Sequence, residues 1–208
     1  MAKKEVVIVV PGVKGLSKWP RPVRTAVHLF CKALSLSPVY EDHAKIWETK
    51  IISPGNKVVW LKWSRNPDVL SKLIAVRNLR NLINSFRNYK IKLVGISIGG
   101  EIILEAIKGR HFKNVKKAIL VCSINEVRKI YEKNTKIINL YSSRDGFAEA
   151  VIEALSFFDG SKKLLGSNVA NIDLPDMDHA DFCTDNVIHG GKYGGQRPSD
   201  IVNKYLKG

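Results

Sequence analysis

Cysteine is scarce in this sequence: three stand in 208 residues, at Cys31, Cys122 and Cys183. An odd, widely spaced set with no CxxC pair argues against a disulfide framework or a paired-thiol metal site. Cys31 and Cys122 fall in apolar patterns and read as core, while Cys183 adjoins a polar loop. Long apolar runs are missing too. No stretch reaches the roughly 18 apolar residues of a membrane-spanning helix, and the opening Met1 to Val6 leads into a short valine-rich segment with no small-residue cleavage site. A soluble, unexported, cytoplasmic protein is expected. Acidic residues are the third shortage, 19 against 34 Lys and Arg, for a formal net charge of +15. Such a balance would draw nucleic acid, an anionic membrane surface or an acidic substrate. The basic residues are spread along the chain, however, so a solvated surface accounts for them as well. There is no internal repeat or low-complexity linker, and with 45% apolar content the chain is expected to fold as one domain over residues 1–208.

What is present is an alternation of short apolar runs with helical patterns. Glu5-Val6-Val7-Ile8-Val9-Val10, ended by Pro11-Gly12, has the continuous β-branched character of a strand buried on both faces. A helix is expected from Pro22 to about Leu34. Residues 35–56 read poorly and fit either a short helix or an excursion over a site. Lys57 to Trp63 predicts a second strand. Asn66 as cap and Pro67 at the first position then predict a long amphipathic helix with its basic residues outward. Further strands are expected at Lys117 to Cys122, Lys136 to Tyr141 and, more polar and near an edge, Val169 to Leu174. Helices are expected over residues 147–158 and 198–206, the latter preceded by a flexible glycine-rich loop, Gly190 to Gly195. This order implies an α/β three-layer sandwich, with a mostly parallel sheet of about five to six strands and helices on both faces. Ligands of such folds gather at the carboxyl ends of the strands.

One stretch carries chemistry. Lys92-Leu93-Val94-Gly95-Ile96-Ser97-Ile98-Gly99-Gly100-Glu101 ends an apolar run in GxSxG and passes directly into Ile102 to Ile107. In that strand, turn, helix context the serine is held at a strained turn with its hydroxyl outward. A serine that merely caps the helix is the competing explanation. Two more polar residues stand just beyond predicted strands, Asp145 in Arg144-Asp145-Gly146 and His179 in Asp176-Met177-Asp178-His179. A serine hydroxyl becomes a nucleophile when an imidazole takes its proton, and the imidazole holds its tautomer when a carboxylate accepts its other N–H.

With Gly95-Ile96-Ser97-Ile98-Gly99 matching the nucleophile elbow, and Asp145 and His179 following in acid and base order, the chain resembles the α/β-hydrolase superfamily over nearly its whole length. The resemblance implies a small, compact serine hydrolase without a large lid and without a cofactor or metal, cleaving a small-molecule carboxylic ester through Ser97, His179 and Asp145. It implies an oxyanion hole from the backbone N–H of Ile98 and that of Val13, since Pro11 has none. Where many members have His-Gly in that first loop, this chain has Pro11-Gly12. Thioesterase, amidase, peptidase and acyltransferase chemistry share the motif, and a non-catalytic basic binder of nucleic acid or anionic lipid is the rival from another class.

Each assignment has an alternative. Asp145-Gly146 is also an ordinary turn signal, and Asp159 is the next acid. His179 lies among Asp176, Asp178 and Asp181, where a solvated loop residue or a metal ligand in an acidic cluster are the other readings; His189 is the fallback base. His28, His43 and His111 read as structural or solvated. The glycine-rich 190–195 segment lacks phosphate-loop spacing, and the 95–100 segment puts Ser97 where a dinucleotide fingerprint needs glycine. An imidazole base with its ordinary pKa near 6.5 predicts activity that falls on acidification through that value.

Overall fold

Six strands form one sheet in the computed structural model, which describes residues 4–14, 21, 22, 25, 29, 42–52, 57–66, 68–123, 129, 130, 134–147 and 162–208. They are β1 Glu5–Val10, β2 Lys57–Trp60, β3 Lys90–Ile96, β4 Val115–Val121, β5 Lys136–Tyr141 and β6 Val169–Asp173. Their order is β2-β1-β3-β4-β5-β6, and every neighbouring pair is parallel. Helices with both ends among the described residues accompany them: α1 His43–Glu48, α2 Val69–Ser85, α3 Ile98–Ile107, α4 His179–Thr184 and α5 Pro198–Lys207.

Successive residues of a strand point to opposite faces, so the unbroken valine run of β1 feeds two cores. Val6, Ile8 and Val10 pack with Leu79 and Ile83 of α2 and Ile103 of α3 on one face. Val7 and Val9 pack with Trp47 of α1, Phe182 of α4 and Val202 of α5 on the other. The three-layer sandwich read from the sequence is what the chain forms, with β6 at an edge as expected.

Part of the basic charge is tied down inside this fold. Lys92, in β3, donates to the Leu206 carbonyl at 2.7 Å and pairs with Glu5 at 2.8 Å, while Lys117, in β4, donates to the Tyr205 carbonyl. Both meet the last turn of α5, where unpaired carbonyls and the helix dipole leave partial negative charge. Arg80 does the same for α3, donating to Glu105 and Ala106 carbonyls at 2.6 and 3.0 Å.

Some boundaries differ from expectation. The strand expected over 57–63 stops at Trp60: Leu61 N–H still reaches the Val9 carbonyl at 2.8 Å, but the next donor on β1 would be Pro11, which has no N–H. The cap of α2 is Asp68, not Asn66, because the Asp68 carboxylate accepts from Ser71 N–H at 2.7 Å. Its buried stripe is Ala75, Val76, Leu79 and Ile83, whereas Val69, Leu70, Leu73 and Ile74 are exposed. Lys72, one turn before Val76, points inward instead to pair with the buried Glu101 at 2.7 Å. The glycine-rich segment contains a 3₁₀ turn, Gly191–Tyr193, with Gly191 and Gly195 at φ 68° and 81°. Trp19, His28, Cys31, Pro67, Asp159, nearly all of the helix expected from Pro22 and most of the one over 147–158 lie outside the described residues. No helix among the described residues is long and apolar enough to cross a membrane.

Candidate active site

β3 ends at Ile96 and α3 begins at Ile98, leaving Ser97 to make the whole turn. It does so at φ 54° and ψ −129°, a conformation that costs a non-glycine residue about 1–3 kcal/mol. Its N–H donates to the Val121 carbonyl of β4 at 2.8 Å and its carbonyl accepts from Gly100 at 2.9 Å. The surroundings over-determine the strain. Capping does not explain the residue, because the side chain makes no cap hydrogen bond; its Oγ lies 3.1 Å from His179 Nε2.

The other two predicted side chains arrive from neighbouring strands. Asp145 follows β5 in a turn closed by its N–H to the Ser142 carbonyl at 3.3 Å. His179 is the first residue of α4, beyond β6, and a capping box fixes that start: Asp181 N–H donates to Asp178 at 2.8 Å, and Asp178 N–H to Asp181 at 3.0 Å. The acidic neighbours of His179 thus hold the helix end. His179 Nδ1 stands 3.0 Å from Asp145 Oδ2. An ionised carboxylate only accepts, so Nδ1 carries the proton and Nε2 presents its lone pair to Ser97. All three residues are buried, and the Phe147 ring packs 4.8 Å from the imidazole. His111 and His189 are exposed, and neither belongs to this group.

Three buried residues beside this line escaped the sequence reading. His43, expected to be structural or solvated, is 2% exposed, and its Nε2 has no partner among the described residues. It sits against Gly12: a Cβ on that glycine would meet His43 Nε2 at 2.9 Å and Ser97 Cβ at 3.0 Å. Burial, with Arg65 nearby, holds the His43 pKa below its ordinary value, so the ring is neutral. Cys183, on α4, and Cys122, at φ 44° just past β4, are also buried. The hydrogen bond from Cys122 pulls the Cys183 pKa down, and burial pushes that of Cys122 up. Burial disfavours the cationic form of His179, but Cys183 sulfur and the Asp145 carboxylate outweigh it and raise the pKa above 6.5. Among the described residues, Cys122, His179 and Cys183 are also the group able to hold a metal ion. The only signal for Cys183 in the sequence was its place four residues after His179, one helical turn along the same face.

Ile98, as the first residue of α3, has an N–H without an intrahelical acceptor. The loop after β1 is held by Arg65, itself at φ 59°. Its guanidinium donates to the Gly12 and Val13 carbonyls at 2.8 and 3.1 Å and forks onto Asp42 at 2.6 and 3.0 Å. No peptide among the described residues is cis, so the Val13 N–H points opposite to the Gly12 carbonyl and away from Arg65. Asp42 in turn caps α1, accepting from Ala44 N–H. Arg65→Ala is expected to destabilise the protein by about 3 kcal/mol, because it strands a half-buried carboxylate, and Arg65→Lys to recover little without the planar fork. Burial alone would raise the Asp42 pKa, but Arg65 wins and lowers it. The stability this coupling gives is therefore complete above the unfolded carboxylate value of about 4 and is lost as pH falls through the folded value. Urea midpoints at pH 6 and pH 3 check both: the wild type should lose more on acidification than Arg65→Ala.

No protein-family model matches the chain, and no curated protein matches it. Solved structures do. A YdeN-like hydrolase from Pectobacterium atrosepticum superposes with TM-score 0.51 at 13% identity, covering 98% of this chain and 91% of that one. An α/β serine hydrolase without lid from Xanthomonas campestris gives 0.51 at 13%, covering 100% and 81%. The esterase domain of a Rhodothermus marinus protein gives 0.51 at 9%, covering 99% and 88%. With the strand order, the all-parallel pairing and the turn at Ser97, these likenesses establish that the chain has the α/β-hydrolase fold.

Proposed function

We propose that this protein is a serine hydrolase that cleaves a carboxylic ester through an acyl-enzyme on Ser97. The observation that carries the reading is the unbroken line from Ser97 Oγ to His179 Nε2 at 3.1 Å and from His179 Nδ1 to Asp145 Oδ2 at 3.0 Å. Three loops at the carboxyl end of one sheet deliver it. His179 takes the hydroxyl proton as Ser97 oxygen bonds to the acyl carbon, and Asp145 stabilises the imidazolium that forms. The developing oxyanion accepts from the N–H groups of Ile98 and Val13. The tetrahedral intermediate collapses, the carbon–oxygen bond to the leaving alcohol breaks, and His179 returns the proton to that alcohol. Water, deprotonated by the same imidazole, then releases the acid. Hydrolase and esterase structures among those of the same fold support the reaction class, and an ester is the substrate class the esterase likeness favours over a thioester or amide. Because the raised His179 pKa moves proton acceptance upward, activity should fall on acidification through a value above 6.5.

The test is covalent. A fluorophosphonate probe should label the wild type at Ser97, with loss of p-nitrophenyl acetate turnover, and leave Ser97→Ala unlabelled. Labelling that persists in Ser97→Ala refutes the assignment. Salt-sensitive binding of nucleic acid or anionic vesicles without any ester turnover would instead favour a basic binding module.

A further inference from the structure

The side chains packed beside the nucleophile hold a second donor set, made of two thiols that ester hydrolysis does not use and the imidazole that it does. Cys122 Sγ, Cys183 Sγ and a ring nitrogen of His179 all lie within 4.8 Å of one another, and all three residues are buried. Ligand atoms around a tetrahedral zinc ion, at bond lengths of about 2.0 to 2.3 Å, stand roughly 3.5 to 3.8 Å apart, so a modest change in side-chain torsions closes the set on an ion. Backbone placement favours this. His179 and Cys183 share one face of α4, and Cys122 is anchored at the end of β4 by its N–H to the Leu140 carbonyl at 2.9 Å. Two sulfurs and an imidazole select soft ions such as Zn²⁺ over Mg²⁺ or Ca²⁺. Three protein ligands also leave a fourth position open. A second buried nitrogen lies beside Ser97 as well: His43 Nε2, without a partner among the described residues.

We propose that Cys122, Cys183 and His179 form a thiophilic metal site whose occupation switches the hydrolase off. Both nitrogens of His179 are already committed, Nε2 to Ser97 and Nδ1 to Asp145. An ion bound through either one displaces a partner that the proton relay needs. On binding, each thiol gives its proton to solvent, and the two thiolates neutralise the dication. The inhibition rests on the function proposed above; the binding does not.

The experiment uses reduced, chelator-treated protein and two ions. Cd²⁺ should give an ultraviolet thiolate-to-metal charge-transfer band that saturates at one equivalent, and should shield Cys122 and Cys183 from alkylation as read by peptide mass. Zn²⁺ at one equivalent should slow p-nitrophenyl acetate hydrolysis at least tenfold, raise the melting temperature by mass action, and be reversed by EDTA. Cys122→Ser and Cys183→Ser should each need at least tenfold more Zn²⁺ for half-inhibition relative to their own metal-free rates, whereas Cys31→Ser should keep band and inhibition. Absence of the band and of alkylation shielding overturns the proposal, and shielding is read on the wild type, so it stands whether or not the variants fold. Equal Zn²⁺ sensitivity in wild type and both cysteine variants overturns it as well. A band without ester turnover retains the site and defeats the hydrolase reading; turnover without a band does the reverse.

Discussion

Ser97→Ala and His179→Ala should each lower kcat for an activated ester by about 10⁴- to 10⁶-fold, and the double variant should be no worse than the more damaged single one. Groups that act on one proton in one step fail together, because the hydroxyl without its base and the base without its hydroxyl are equally idle. Additive losses would mean that the two side chains contribute separately and that the 3.1 Å contact between them is incidental. Steady-state kinetics with active-site titration measures this, and KM should change far less than kcat. A residual rate above that of water is expected in every variant, since the Ile98 and Val13 N–H groups do not depend on either side chain.

Asp145→Asn separates orientation from charge. The amide keeps the shape of the carboxylate but can offer its NH₂ to His179 Nδ1, which turns the imidazole to the tautomer whose Nε2 carries the proton and cannot accept one from Ser97. A loss of about 10⁴-fold follows from the tautomer alone. A non-catalytic scaffold would register none of these changes.

Much of this geometry was written locally in the chain. The Val6–Val10 run ended by Pro11-Gly12 declares a strand end, and the GxSxG between an apolar run and a helix and Asp145-Gly146 after Lys136 to Tyr141 each declare one with a polar residue just past it. A parallel sheet then brings such ends to one rim without further instruction. What the sequence does not declare is the packing between elements remote along the chain. His43 lies beside Ser97 because α1 packs on α4, with Trp47 Nε1 donating to the Phe182 carbonyl at 3.2 Å, and no periodicity within residues 35–56 encodes a partner more than a hundred residues away. Cys122 and Cys183 looked like separate thiols for the same reason. The Arg65 fork joins Asp42 to Gly12 and Val13 across three separate segments, and the early end of β2 depends on a missing N–H in a different strand. Local preference set the elements, and long-range contacts set their edges and the furniture of the site.

Gly99→Ala should be the most damaging glycine-to-alanine change among the described residues, costing more than about 4 kcal/mol and leaving little folded protein. The Cβ it adds would be driven into the Val10 carbonyl oxygen, with the Val10 carbonyl carbon at 2.9 Å and that of Pro11 at 3.2 Å. Those atoms are backbone, in an interior strand hydrogen-bonded on both sides, and cannot yield as a side chain would. Gly95→Ala should follow it, its Cβ falling 2.6 Å from Gly100 N and Cα where α3 crosses β3. Gly100→Ala meets a side chain instead: Ser123 Oγ can rotate away, but Ser123 Cβ at 2.6 Å cannot, so the chain just past β4 must shift and a loss smaller than that of Gly99→Ala is expected. Urea denaturation of the three variants should show the largest loss for Gly99→Ala. A Gly99→Ala protein as stable as Gly100→Ala would mean that α3 does not press on β1 as closely as the nucleophile turn requires, and the position of Ser97 over the sheet would have to be redrawn.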